Sequence, residues 1–430
     1  MFTSECLNID QNNSLTIGGV SVVQLAKKHG TPLYIMDEDN IRLTCRRFKN
    51  TLADYPGKSK VCFASKALST THIYRIMRDE GMYTDVVSGG ELFTALNANF
   101  DPAKMYLHGS GKSRDELVLA LEQGVGRIVI DNQEELDLLG QICRELDKTC
   151  KVLFRVKPGV EAHTHEFIQT GKLDSKFGTA VQDGQALEFA KKIMENKRLE
   201  LVGIHCHIGS QIFETKPFEL AAAAMAGLFN DIKKNLGHTM SEINMGGGFG
   251  ARYLESERVL PIEQSVGALA KAVAKEIEAF GLDYPDLIIE PGRSLVCESG
   301  ITVYTVSGVK EIPGIKNYLL VDGGMSDNPR FALYDAEYTI LDANKPTAPQ
   351  TKLYTMAGKH CESDTMAKNF KLPEMKAGDF VAVLSTGAYV YSMSSNYNKT
   401  PRPPIVCVAG GADKVVVRRE TYQDLVSRDV

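Results

Sequence analysis

Lys66 is the first group in this chain with the means to do chemistry, because it closes the apolar run KVCFASK (60–66). Most lysines are solvated surface charges. One that ends a buried strand can be desolvated, which lowers its pKa and frees the amine to condense with a carbonyl compound. In EPGRS (290–294) a carboxylate and a guanidinium, Glu290 and Arg293, stand three residues apart. As an ordinary turn this is a structural ion pair. In a site, Glu290 would hold a protonated ring nitrogen and Arg293 would clamp a carboxylate through its planar fork. The run GGGFG (246–250), with Gly247 and Gly248, offers bare backbone N–H groups that can wrap a phosphate.

HCHIGSQ (205–211) puts His205 and His207 on one strand face and Cys206 on the other. Two histidines raise zinc, but no further cluster with ligand spacing completes a four-ligand site, so no metal is expected. The alternative is a flat imidazole stacked on an aromatic ring, with Ser210 offering its hydroxyl to a phosphate. In KHCESDT (359–365) Cys361 directly precedes Glu362, although free cysteines are mostly buried and inert. GSGKS (109–113) imitates a phosphate loop, but Tyr106 stands where that loop needs a glycine.

These groups need elements to position them, and eight β-branched runs provide ends for them: 60–66, 83–88, 104–109, 127–132, 151–158, 201–209, 242–248 and 287–293. Helical patterns such as QEELDLLGQICRELDK and GALAKAVAKEIEAFG lie between the runs. Eight strand–helix units predict an α/β fold, a (β/α)8 TIM-type barrel over 37–300, with the polar groups at the C-terminal ends of its strands. After about residue 300 the texture changes to strand-like runs broken by Gly, Pro and Asp turns. The expectation is a second, mainly β domain, sandwich-like or barrel-like, built from 301–430 together with the N-terminal segment 1–36. HTHEFIQTG, with Gly159 and Gly171 on either side, is a candidate loop for covering a substrate.

The chain has 430 residues, more than one hydrophobic core usually organises, which agrees with two domains. A net charge of -5 without basic runs leaves no electrostatic footprint for nucleic acid. No stretch of about 18 apolar residues suggests a membrane span, and the N-terminus lacks the pattern of a secretory signal. Nine scattered cysteines fit reduced thiols, so a cytoplasmic protein is expected.

The order of these motifs resembles the alanine-racemase-like, fold type III, pyridoxal-phosphate decarboxylases, and within them the diaminopimelate decarboxylases. The resemblance runs from GTPLYIMDE (30–38) through SKAL, DVVSGGEL (85–92), RVKPGVEAHTHEFIQTG (155–171), DSKFG (174–178), HIGSQ, GGGFG, EPGRS and CESD to GAYVYSMSSNYN (387–398). It departs at SKAL, where many members have K-A-N, and at HCESDT, which lacks the glycine that often follows CES.

The resemblance implies that Lys66 carries pyridoxal 5'-phosphate, that His207 stacks on its ring and that Glu290 pairs with its nitrogen. Asp85, Ser210, Gly247, Gly248, Gly292, Arg293 and Tyr389 would complete the cofactor site. Substrate contacts would fall to Arg293, Arg330, Tyr334, Glu362 and Tyr389, and Cys361 would be the acid that returns a proton. Cys361 and Glu362 would act in the barrel of a partner subunit, making a homodimer with shared active sites. The implied reaction is decarboxylation of meso-2,6-diaminopimelate to L-lysine, the last step of lysine biosynthesis. The alternative is a decarboxylase of L-lysine, ornithine, arginine or a D-basic amino acid; two arginines suit a substrate with two carboxylates.

Overall fold

The structure, a computed structural model, describes residues 2–160 and 176–430. The segment HTHEFIQTG and the first two residues of DSKFG lie outside the described residues. The chain divides into two compact units: Met1–Leu43 with Ala251–Arg258 and Arg293–Val430, and Thr44–Gly250 with Val259–Gly292.

The second unit is a closed barrel. Its eight parallel strands are Ser59–Phe63, Tyr83–Val86, Met105–Leu107, Arg127–Ile130, Cys150–Lys157, Leu199–His205, Glu242–Asn244 and Asp286–Ile289. Each pairs with the next, and the eighth pairs with the first through Leu287, Ile288 and Ile289. One apolar side chain from each of several strands, namely Cys62, Tyr106, Val129, Leu153, Val202 and Ile288, meets in a single buried cluster with Tyr83 against it. Such inward-pointing layers make the barrel a packed core with its chemistry confined to the ends.

The strands match the eight runs read from the sequence, but they stop earlier. Some polar tails are helix caps rather than site groups. The Ser88 hydroxyl accepts from the Glu91 N–H to start helix Gly89–Asn97, and Asn132 does the same for Gln133–Glu145. Ser113 of the phosphate-loop imitation forms a capping box with Glu116. Its neighbour Lys112 is buried on the Gly109 and Val129 carbonyls and the Glu135 carboxylate, at 2.7, 2.7 and 2.6 Å. GSGKS therefore ties adjacent barrel loops together.

The first unit is mainly β. The long strand Gly300–Ile312 is central, with Lys316–Val321 on one side and Leu33–Asp37 on the other, and Phe380–Val383 also pairs with it. Leu33–Asp37 runs parallel to Ile405–Ala409. The N-terminal segment thus shares a sheet with the C-terminal third of the chain. Leu15, Ile17, Leu33, Ile35, Ile301, Val303, Val406 and Val408 form their common core.

The N-terminal end of the barrel is held by a buried carboxylate. Glu242 accepts from Lys60 at 2.7 Å, from Arg127 at 2.6 Å and from the Tyr106 hydroxyl at 3.1 Å. Burial opposes its ionisation, but the hydrogen bonds from Arg127 and Lys60 outweigh burial and hold its pKa below the usual value. Glu242→Ala removes the carboxylate partner of Arg127 and leaves Lys60 with Asp286 alone, and should lower unfolding free energy by about 3 kcal/mol in urea titrations at pH 7. Because the folded carboxyl lies below its unfolded value, this contribution is complete above the ordinary glutamate range. It is lost as the pH falls through the folded value, so the difference between variant and parent should shrink in acid.

Candidate active site

In the barrel unit Lys66 lies in the short turn Ser65–Ala67, immediately after the first strand. Ala64 donates its N–H to the Pro291 carbonyl at 3.0 Å, and Ser65 donates to Asp85 Oδ1 at 2.7 Å. Gly292 packs on the same turn, where an added Cβ would come within 2.8 Å of the Ala64 methyl. Lys66 is itself exposed between buried neighbours. The strand buries the backbone of the turn and leaves the Lys66 side chain exposed. Asp85 is buried, and burial pushes its pKa up to about 7, with Glu290 and Glu91 adding to the rise and His108 and Lys66 opposing it.

Glu290 follows the eighth strand and is almost completely buried. Its Oε1 receives the Asn244 amide at 2.7 Å and lies 2.8 Å from His108 Nε2, while Oε2 lies 3.1 Å from His205 Nε2. Burial alone would raise its pKa, but His108 and His205 hold it well below the carboxylate range. Burial pushes His205 down to about 4 against the pull of Glu290. Glu290 is thus an ionised acceptor, and with one contact on Oε2 it keeps room for another donor. His108, His205 and Glu290 also form a three-donor group with atoms within 4.8 Å of one another. Their spacings are hydrogen-bond lengths, and among the described residues no fourth ligand joins them.

His207 lies past the end of its strand, and its Nδ1 accepts from the Gly247 N–H at 3.3 Å. Desolvation pushes its pKa well below the usual value, with Lys66, Arg155 and His205 adding to the shift. A neutral, flat ring results, with its proton on Nε2. The glycine loop beside it is built by close approaches: a Cβ on Gly246 would lie 2.3 Å from the Cys206 carbonyl, and one on Gly247 would lie 2.2 Å from that of Glu290. Gly248 has φ +113, and its carbonyl accepts from the Ile212 N–H at 3.0 Å, which joins the glycine loop to the HIGSQ loop carrying Ser210.

The first unit carries a second constellation. Arg293 opens helix Arg293–Val296 and Arg330 opens helix Arg330–Tyr334, and both are buried. Tyr389 holds φ +60, a strained region for an aromatic residue, and its ring faces the Arg293 and Arg330 guanidiniums at 4.7 and 6.0 Å. The Tyr334 ring lies 6.0 Å from Arg330. Tyr253 meets both arginines and was not singled out from the sequence, where it has no periodic or motif signal.

Cys361 and Glu362 sit on an exposed turn of the same unit. Among the described residues, which include all nine cysteines, only the Cys361 thiol is exposed. The buried His360 anchors the turn, with Nε2 2.8 Å from the Ser326 hydroxyl and Nδ1 3.0 Å from Asn398 Oδ1. The Tyr397 hydroxyl donates to Glu362 at 2.6 Å. His108, Asn244 and His360 were also missed. His108 could have been found, since it follows the apolar stretch of the third run as His205 follows that of the sixth.

The described groups meet the needs of pyridoxal phosphate: an accessible amine, an ionised buried carboxylate with a spare lone pair, a neutral flat ring and a backbone cradle that a Cβ would fill. A family model described as the pyridoxal-binding domain of pyridoxal-dependent decarboxylases matches residues 38–297. Diaminopimelate decarboxylase of Bacillus subtilis (strain 168) is 44% identical, covering 100% of this chain and 98% of that protein. The Bacillus methanolicus enzyme of the same name is 45% identical, with 98% of each covered. The chain belongs to the diaminopimelate decarboxylases. A crystal structure of diaminopimelate decarboxylase from M. jannaschii in co-complex with L-lysine superposes with a TM-score of 0.92 at 31% identity, covering 100% of this chain and 99% of that one. Membership makes the chain a pyridoxal-phosphate-dependent carboxy-lyase on an alanine-racemase-like fold.

The glycine cradle can be tested against a control. Gly246→Ala and Gly247→Ala should each cost about 1–3 kcal/mol of stability through strain and overlap, and both should release cofactor on dialysis. Gly227→Ala, within helix Lys216–Leu236 where a Cβ meets nothing, should gain roughly 0.5–1 kcal/mol. Thermal unfolding and the retained cofactor absorbance check all three.

Proposed function

We propose that this enzyme converts meso-2,6-diaminopimelate to L-lysine and carbon dioxide, the closing step of lysine biosynthesis. The observation that carries the substrate is the pair of buried guanidiniums, Arg293 and Arg330, gathered on a common tyrosine. A carboxylate that is retained through the reaction needs a cationic partner, and a diamino monocarboxylate would need an acidic pocket instead. The curated relatives bear the name of the same activity.

Bound pyridoxal phosphate supplies an electron sink for the pair left behind when carbon dioxide departs. Lys66 holds the cofactor through its amine, on a turn fixed by Asp85. Glu290, kept ionised by His108 and His205, holds the ring nitrogen in its protonated form. His207 covers the ring face. Ser210, Gly247, Gly248, Gly292 and Tyr389 bind the phosphate. Arg293, Arg330, Tyr334, Tyr389 and Glu362 bind and orient the substrate, and Cys361 returns a proton to the carbon that lost its carboxylate. Cys361 and Glu362 serve the barrel of the partner subunit, so the working form is a homodimer with shared sites. Their exposed turn supports this reading, as does the match of CESD to the family. Among the described residues no helix is long and apolar enough to cross a membrane, and together with nine free thiols this supports a cytoplasmic setting.

The direct test is carbon dioxide release from meso-diaminopimelate beside L-lysine, L-ornithine, L-arginine and their D-isomers. Release from meso-diaminopimelate with L-lysine as product is expected, whereas release only from a monocarboxylic amino acid overturns the assignment. Lys66→Ala should abolish turnover together with the covalent cofactor absorbance. Glu290→Gln should keep the cofactor and lower kcat about 100-fold or more, the scale of losing an electrostatic partner in the transition state. Mixing Lys66→Ala with Cys361→Ala subunits should raise activity toward about a quarter of the parent, because half of the randomly reassorted dimers carry one intact shared site. No gain over either variant alone would argue against sites built from two chains.

A further inference from the structure

Two buried cations side by side repel one another, and a group that accepts from both offsets that repulsion. In the first unit that group is the phenol of Tyr253. Arg293 and Arg330 each donate an Nη1 hydrogen bond to its oxygen, the Arg330 bond at 2.8 Å. The two guanidiniums also lie against its ring, at 5.6 and 5.2 Å from the centroid. A phenol oxygen has two lone pairs and one proton. Both lone pairs are taken by arginine.

The tyrosine is itself held from several directions. Its N–H donates to Glu257 at 2.6 Å, and its carbonyl accepts from the Thr339 N–H at 3.0 Å and the Thr339 hydroxyl at 2.9 Å. The Tyr338 ring packs edge-on at 5.4 Å, and its hydroxyl receives a further, longer bond from Arg330 at 3.3 Å. Burial raises the Tyr253 pKa, although the two arginines oppose it, so the phenol is neutral at physiological pH.

Neutrality decides what the cluster can bind. An aspartate or glutamate between the arginines would also accept from both, but it would cancel one positive charge and compete with an incoming carboxylate. A phenol accepts from both guanidiniums without adding a negative charge of its own between them. We propose that Tyr253 is a specificity-determining positioning residue, which fixes Arg293 and Arg330 as one receptor for the carboxylate that a dicarboxylic substrate retains. This rests on the functional reading above, in which those arginines bind substrate.

The test compares Tyr253→Phe with the parent holoenzyme. The phenylalanine keeps the ring and its packing and removes only the shared acceptor. The KM for meso-diaminopimelate should rise about tenfold, the scale of one charge-assisted hydrogen bond, while kcat stays within about twofold because the reacting carbon is untouched. Inhibition by pimelate, which has two carboxylates and no amine, should weaken by the same factor. Inhibition by cadaverine, with two amines and no carboxylate, should not change. Tyr253→Glu should bind cofactor normally and lose pimelate inhibition at least as severely.

Native KM and native pimelate inhibition in either folded variant would overturn the proposal. So would a loss shared equally by pimelate and cadaverine, which would mark a merely structural role. A parent enzyme that releases no carbon dioxide from meso-diaminopimelate would overturn the functional reading first, and with it this one.

Discussion

The carboxylate of Glu290 must remain ionised at the buried end of a barrel, where desolvation alone would protonate it. Taking such a charge out of water costs several kcal/mol even after relaxation. His108 from the third strand's end, His205 from the sixth and Asn244 from the seventh converge on its two oxygens. Barrel closure brings the end of the third strand across to a carboxylate that follows the eighth, where the sixth and seventh strand ends already meet. The requirement therefore extends to the closure between the eighth and first strands, whose register sets where Glu290 stands.

The same closure holds the lysine turn. The Pro291 carbonyl receives the Ala64 N–H, and Gly292 leaves room for the Ala64 methyl. The loop that presents the acid thus also presents the amine. The glycine loop joins this arrangement through its backbone, with Glu290 donating its N–H to the Gly246 carbonyl at 2.7 Å. Bare glycines are needed there because every Cβ would meet a neighbouring carbonyl, which explains the motif without appeal to flexibility.

The second unit-level constraint is electrostatic in the opposite sense. Arg293 and Arg330 are gathered around aromatic groups, Tyr253, Tyr338 and Tyr389. Phenol oxygens and ring faces attract cations without carrying a full negative charge. The strained backbone of Tyr389 belongs to this arrangement, since that residue lays its ring over Arg293 at 4.7 Å.

The sequence by itself determined the barrel, because eight apolar runs separated by helical periods admit few other folds. It also determined most of the cradle and the chemical identities of the amine, the acid and the cysteine, since motifs carry residue type and order along the chain. It could not show that the Lys66 side chain is exposed, because burial depends on neighbours remote in the chain. Nor could it distinguish the polar strand tails that serve the site, such as His108, from those that cap helices, such as Ser88 and Asn132; that choice is made by where each helix begins. Tyr253, His360 and Asn244 were decided by tertiary structure alone. Each acts through a partner 38 to 77 positions away in the chain, and hydrogen-bond geometry over such separations leaves no periodic trace in the order of residues.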